Sequence, residues 1–488
     1  MSTEYDLVVI GGGSGGLECG WNAAMLYGKK VAVIDTQKVH GIKPDYAALG
    51  GTCVNVGCVP KKLMMTGALY REHMKDAAGF GWNVPDLVGD WKKLMEQKDK
   101  AVLDINKSYE GMFNDKLVFV QGFGRLAGPN KIEVMDTNDR TKVVSTLDAK
   151  NIVIATGAWP YNPPFEGIEH TISSNEAFYL PEAPKRPLVV GGGFIAVEFA
   201  GIFNGYKPKD GQVTLCYRGD LFLRGFDADL RASLATQMTA GGVNLMFNEN
   251  PAKVELLPDG NKKVTFESGK VEVFDVVMIA TGRKPKTAGM QLAENKVELN
   301  KNQGVVVNEK NATNVAGVYA LGDVIDKVML TPVAIHEGSI LAGNLFNNED
   351  RTPDYDKIPA AVFSIPPIGT VGLLEEDAAK KFANVNVYKS SFLPLMHQLT
   401  GFEHKRTLYK IITDADDENR ILGVHMLGLE APEVIQAVGI CVKMGAKLKD
   451  FFSTIGVHPT SAEELVSMRT PEHSYKNGAK IVEEKKDE

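Results

Sequence analysis

The stretch Tyr5–Asp35, YDLVVIGGGSGGLECGWNAAMLYGKKVAVID, decides how this chain folds. An apolar run, a glycine cluster, a mixed segment and a second apolar run ending in an acid read as strand, turn, helix and strand. Gly11, Gly13 and Gly16 fit G-x-G-x-x-G, and Asp35 closes the second strand about 20 residues on. Glycines at those places let the backbone turn tightly and approach a pyrophosphate, which the helix N-terminus stabilises. The acid accepts hydrogen bonds from a ribose. The stretch therefore predicts a dinucleotide site in an α/β domain.

Working outward, a second unit begins at RPLVVGGGFIAVEF, where Gly191, Gly193 and Ala196 give G-x-G-x-x-A after an apolar strand. Its next strand, VTLCYR, does not end in an acid; Arg218 follows it directly and Arg224 comes soon after. An arginine pair there suits a 2′-phosphate, so NADPH is expected rather than NADH. Away from a glycine turn the same arginines would read as a solvated basic loop. Two segments, NIVIATGAWP and VVMIATGRKP, echo each other as connections between two domains do. Later, GVYALGDV sets Asp323 at a strand end, placed to meet the ribityl or phosphate part of a flavin. Two dinucleotide sites on one chain suggest hydride transfer from NADPH to that flavin.

The 488 residues suffice for roughly three domains. With 44% hydrophobic and 24% charged residues the balance is that of a globular protein. No run of apolar residues reaches membrane-spanning length. The start, MSTEYDLVVIGGG, reads as a strand rather than a signal peptide. The end, IVEEKKDE, reads as a solvated tail, which leaves the cytoplasm as the default location. A net charge of −7 argues weakly against nucleic acid as a partner.

Five cysteines are few for a chain of this length, and a structural staple is not expected in the cytosol. Cys19, Cys216 and Cys441 stand in apolar settings and read as packing thiols. Cys53 and Cys58 lie in LGGTCVNVGCVPKK without the neighbouring ligands that zinc needs. Pro60 and the pattern beyond it place Cys58 at a helix N-terminus, where the dipole and Lys61 favour a thiolate. A disulfide needs Cα atoms within about 7 Å, whereas five extended residues span roughly 16 Å. The intervening VNVG must therefore coil, which Gly57 eases, and a redox pair is the reading that remains.

The segment Gly50–Lys61, GGTCVNVGCVPK, together with HPTSAEE at His458–Glu464, resembles the flavin-dependent disulfide reductases, and the resemblance runs along essentially the whole chain. It implies an α/β fold with two Rossmann-like dinucleotide-binding domains and an α+β dimerisation domain. The FAD domain would take residues 1–158 and 285–357, the NADPH domain 159–284, and the interface domain 358–488. FAD would lie on Gly11, Gly13, Ser14, Gly16, Asp35, Thr52, Thr156, Gly157, Asp323 and Thr331. NADPH would lie on Gly191, Gly193, Phe194, Ala196, Tyr217, Arg218, Arg224, Gly282 and Arg283, with Phe194 shifting to admit nicotinamide. By the same resemblance Cys58 is the thiol beside the flavin and Cys53 the one that attacks the substrate disulfide. Lys61 and Glu198 form an ion pair near the flavin. His458, oriented by Glu463, exchanges a proton with Cys53 across a homodimer, so a monomer is expected to be inactive.

Family members that reduce glutathione disulfide have arginines at two places that read Trp21 and Ser339 here. Glu18 and Trp21 should share one helix face, and Ser108 and Met112 at i, i+4 another, with Tyr109 and Asp115 nearby. Phe392, Pro394, Leu395 and Glu464 would line the partner side of the pocket. The combination is acidic and apolar and suits a low-molecular-weight cationic disulfide; Glu18, Trp21, Ser108 and Met112 together resemble the pattern of the members that reduce trypanothione disulfide, whose halves are joined by spermidine. Taken singly, Trp21 and Met112 read equally well as core. The alternatives are a glutathione disulfide reductase and, remotely, a flavoprotein binding module without catalysis. The loop HGIKPDYAALGG, Cys19 and Ser339 depart from the family pattern.

Overall fold

The structure is a computed structural model that describes residues 4–36, 49–84 and 88–482. Most of the divergent loop HGIKPDYAALGG and the charged tail from residue 483 lie outside the described residues.

The opening stretch folds as its pattern demands. Strand β1 (Glu4–Ile10) runs into the glycine turn, helix α1 (Ser14–Trp21) leads back, and β2 (Val31–Asp35) lies parallel to β1 with Val9 opposite Val33. Strands β3 (Leu117–Gln121), β4 (Phe123–Gly128), β5 (Lys131–Met135) and β6 (Val143–Ile154) complete the order β3-β2-β1-β6-β5-β4. An apolar–polar alternation is absent from β1 and β2 because both faces are covered: Leu7, Val8, Val9, Val31, Ala32 and Val33 are all fully buried. The long strand β6 has a divided edge. Its first half pairs antiparallel with β5, while Ile152–Ile154 pair parallel with Val318–Ala320, a strand that arrives from far along the chain.

Between β6 and its late partner lies a second parallel sheet. Its order is Val243–Phe247, Val213–Tyr217, Pro187–Val190, Val276–Ile279, with a three-stranded antiparallel sheet over residues 251–274 beside it. Entry and exit are tied together, since Ala158–Pro160 pairs antiparallel with Arg283–Pro285. The last part of the chain is a seven-stranded antiparallel sheet from Ala360–Val362 to Ala479–Ile481, carrying helix Ala431–Lys443 on one face.

A buried ion cluster joins the second and third parts. Lys410, 1% exposed on a central strand, sets its Nζ 2.9 Å from Asp227 and 2.7 Å from Glu375. Asp227 caps helix Ala228–Ala240, accepting from the Asp229 and Leu230 amides. The Tyr475 hydroxyl donates to Glu375, and His473 shares a hydrogen bond with it. Burial opposes ionisation of Glu375, but Lys410 and these hydrogen bonds outweigh it and bring its pKa down to about 2.

Candidate active site

Helix α2 (Gly51–Val56) carries Cys53, and helix α3 (Cys58–Ala77) begins at Cys58. The segment between the thiols is thus helical and broken only at Gly57, where a Cβ would come 2.7 Å from the Thr52 carbonyl. Gly50 and Gly51 have φ of +88° and +63°, the left-handed region that glycine adopts without strain. Their lack of side chains seats α2 directly on the first glycine turn: the Gly50 amide donates to the Gly12 carbonyl, and a Cβ on Gly51 would meet the Gly13 Cα at 2.7 Å.

The two thiols share a hydrogen bond that lowers the Cys58 pKa and raises that of Cys53. Burial disfavours the Cys58 thiolate, but Thr331, with its Oγ1 3.5 Å away, and the charge of Lys61 favour it, and the net pKa is about 6. Cys53, disfavoured by that hydrogen bond and by burial, is held in the thiol form. Tyr109 at the end of helix α4 (Trp91–Glu110) packs on Gly50; burial raises its pKa, and the nearby Cys53 and Glu18 add to the effect. This places Cys53, Tyr109 and Glu18 in one neighbourhood.

A cleft runs from the glycine turn to the thiols, lined by Gly13–Gly16, Thr52, Cys53, Ala155, Gly157, Leu321–Asp323, Thr331 and Ala334. At its narrow end the shape leaves no room for side chains: Cβ atoms on Gly11 and Gly16 would lie 2.3 Å from the Ala155 carbonyl and 2.1 Å from the Gly11 carbonyl. No side chain caps α1, so its first amides face the cleft unspent on a cap. Asp35 accepts from the Gly12 amide at 2.6 Å. The Thr156 hydroxyl donates to the Lys286 carbonyl. Asp323 lies beside Arg283, and burial raises its pKa while Arg283 opposes the rise. These residues fit a flavin dinucleotide laid from the turn to Cys58.

The second turn matches it. Gly191 has φ +143° and passes under the Ala280 carbonyl, and Gly192 rests on the Tyr217 ring. Helix Phe194–Tyr206 starts there with Phe194 exposed, and one turn on Glu198 is 2% exposed and 2.8 Å from Lys61. Ala196 is buried where the helix meets its sheet. Arg218 and Arg224 are both exposed and make no ion pair among the described residues, which leaves them available to a phosphate. Gly282, with φ +139°, sits at the return to the first part. Arg283, expected at this second site, turns its guanidinium to Thr52 and the Ala158 carbonyl on the flavin side.

Glu18 and Trp21 lie on α1, where Glu18 accepts from Asn22, and Trp21 is 36% exposed. Core packing of Trp21 is thereby excluded. Helix Thr331–Phe346, which carries Ser339, packs tightly on α1 through Gly15 and Gly338. The expectation that Ser108 and Met112 share a helical face needs correction. Helix α4 ends at Glu110; Gly111 closes it, and the Met112 amide donates to the Tyr109 carbonyl in a tighter turn. Ser108 bonds back to the Asp104 carbonyl, Met112 is half-buried, and Asp115 is exposed.

His458 is the expected acid–base residue, and its Nδ1 lies 3.0 Å from Glu463, but its side chain is 80% exposed. None of the contacts found at Cys53 or Cys58 comes from it. Glu464 accepts from Ser390, Phe392 meets Tyr409 edge-on, and Leu395 beyond Pro394 is exposed. These residues form a separate group on the third part of the chain.

Two buried supports escaped the sequence reading. Glu337 accepts from the Gly322 amide and the Tyr355 hydroxyl and so fixes the turn that presents Asp323. Asn55 donates to the Leu49 and Gly51 carbonyls and accepts from Asn106 of α4, which locks the thiol helix in place. The only signal for either was a polar residue inside an apolar helical pattern. Cys19 and Cys216 are buried, and burial pushes both thiols up to about 12.

Residues 5–338 match the model of the pyridine nucleotide-disulphide oxidoreductases, and residues 358–469 match the dimerisation domain of the same group. Among curated relatives, the chain is 56% identical over 486 residues to trypanothione reductase of Trypanosoma congolense, covering 99% of this chain and 98% of the relative. It is 53% identical over 487 residues to trypanothione reductase of Leishmania donovani, covering 99% of each. Similarity to glutathione reductase of Burkholderia cepacia is 38% over 467 residues, 96% of this chain and 98% of the relative.

Proposed function

The chain belongs to the pyridine nucleotide-disulphide oxidoreductases and is an NADPH-dependent flavoenzyme that reduces a disulfide, and from that premise we propose that its substrate is trypanothione disulfide. The observation that carries the substrate reading is the exposed Trp21 beside Glu18, near Tyr109 and Cys53, where a charge-reading arginine is missing. An aromatic face and a carboxylate suit a protonated polyamine bridge better than an anionic tripeptide.

Bound FAD and NADPH supply a two-electron relay to the Cys53–Cys58 disulfide. The amides of the first turn and of α1 would hold the FAD pyrophosphate and Asp35 its ribose, with Asp323 presented by the turn that Glu337 fixes. Arg218 and Arg224, both exposed, would take the 2′-phosphate of NADPH. Once the pair is reduced, Lys61 and Thr331 keep Cys58 as a thiolate, while Cys53 keeps its proton. Cys53 Sγ then attacks one substrate sulfur and its proton passes to a histidine. Glu463 fixes His458 through Nδ1, which leaves Nε2 to accept that proton and return it to the departing thiol. Cys58 attacks Cys53 Sγ of the mixed disulfide, frees the second thiol and restores the internal disulfide. In our reading residues 1–158 with 285–357, 159–284 and 358–488 are the three working domains, two copies form the active unit, and the cytosol is its compartment.

The test is NADPH oxidation with trypanothione disulfide and glutathione disulfide in parallel, on the parent protein and on Glu18→Ala with Trp21→Arg. The parent should strongly prefer the first substrate, and the double variant should gain glutathione disulfide turnover. Equal use of both by the parent, or no gain in the variant, would remove Glu18 and Trp21 from substrate choice.

A further inference from the structure

Phe363 belongs to the third part of the chain yet lies against the Lys61–Glu198 ion pair. It follows strand Ala360–Val362 in the loop that leads to strand Ile368–Gly372, and this loop rests on helix Phe194–Tyr206, where Ile365 covers Gly201. The Phe363 amide donates to Glu198 Oε1 at 2.9 Å, the same oxygen that receives Lys61 at 2.8 Å. Its ring lies 4.2 Å from Lys61 Nζ and 4.1 Å from Lys62 Nζ. Two ammonium groups on consecutive residues repel each other, and a π face that attracts both is what holds them together here.

We propose that Phe363 is a positioning residue that holds the Lys61 ammonium in place beside Cys58, so that a loop of the dimerisation domain sets the charge at the flavin-side thiol. Glu198 alone does not account for the placement. It is buried, and burial raises its pKa although the Lys61 charge and the Phe363 amide both oppose the rise. Facing Cys58 are Cys53, Thr331, Lys61 and Arg283; facing Lys61 are Glu198 and Lys62, and Lys62 in turn feels Glu433. Of the four groups that face Cys58, Lys61 is the one held against a side chain from the third part. The proposal rests on the reading of Cys58 as the thiol next to the flavin.

The experiment is a pH titration of the long-wavelength thiolate–flavin absorbance in the two-electron-reduced holoenzyme. Phe363→Met keeps the backbone amide and most of the volume but removes the π face. Its midpoint should move up by about half a pH unit or more as Lys61 drifts from Cys58. Phe363→Trp keeps an aromatic face and should keep the parent midpoint. Should Phe363→Met fail to fold, pentafluorophenylalanine at 363 retains the shape, reverses the ring's charge distribution and should move the midpoint likewise. A midpoint unmoved by loss of the π face overturns the proposal, and so does an equal shift in Phe363→Trp, which would mean that mere packing is being read. If the parent shows no such absorbance, the failure lies with the assignment of Cys58.

Discussion

Each thiol of the pair is made different by its surroundings. Cys58 starts a helix next to Lys61 and Thr331, whereas Cys53 sits inside a short helix against buried neighbours. The difference divides the reaction between them. Cys53→Ser is expected to retain reduction of the flavin by NADPH and the long-wavelength absorbance while losing disulfide turnover; disappearance of the absorbance would reverse the two roles. The pH dependence has a definite sign. The Cys58 pKa is depressed to about 6, so the thiolate is present above that pH and is lost as pH falls through it. Titration of the absorbance in the reduced protein checks this, and a midpoint near the ordinary thiol value would remove the Cys53 hydrogen bond, Thr331 and Lys61 as its causes.

The glycine turns and the thiol helix were legible from the chain because each is a local pattern, with glycines where a Cβ would strike a carbonyl. What was not legible is contact between elements distant in sequence. Nothing near Lys410 announces that its partners are Asp227 and Glu375, and nothing near Phe363 announces Glu198. Met112 misled because side-chain spacing suggested a continuing helix, while Gly111 and the hydrogen bonds of the following turn ended it. The Lys410 cluster carries its own prediction. Lys410→Met strands two buried carboxylates and should cost about 3–5 kcal/mol. The Glu375 pKa lies near 2, below its unfolded value, so the pair's contribution is full above pH 4.5 and fades as pH falls through about 2. Denaturant unfolding should show a gap between parent and variant that narrows over that range. A gap independent of pH would mean that packing, not charge, holds the second and third parts together.

For the whole molecule, the telling fact is that His458 is oriented by Glu463 yet is exposed, and supplies none of the contacts found at the thiols. The proton-transfer role proposed for His458 therefore requires a site completed by a second copy. Co-expression of Cys53→Ser with His458→Ala tests this. Each variant alone should be inactive. Random pairing puts half of the chains into mixed dimers with one intact site each, so about a quarter of the parent activity should return. If His458 served the thiols of its own chain, no activity would return. Tagged purification of the mixed dimer separates the two outcomes.

The divided edge of β6 has a consequence for how the protein is made. The strand that completes Ile152–Ile154 is Val318–Ala320, and it leaves the ribosome only after the entire second parallel sheet has been synthesised. Until then the nascent first sheet carries an open flank of unpaired amides and carbonyls, the surface on which newly made chains stick to one another. Order of synthesis thereby leaves that flank open until the middle of the chain has been made, and any truncation between residues 155 and 317 leaves it unpaired.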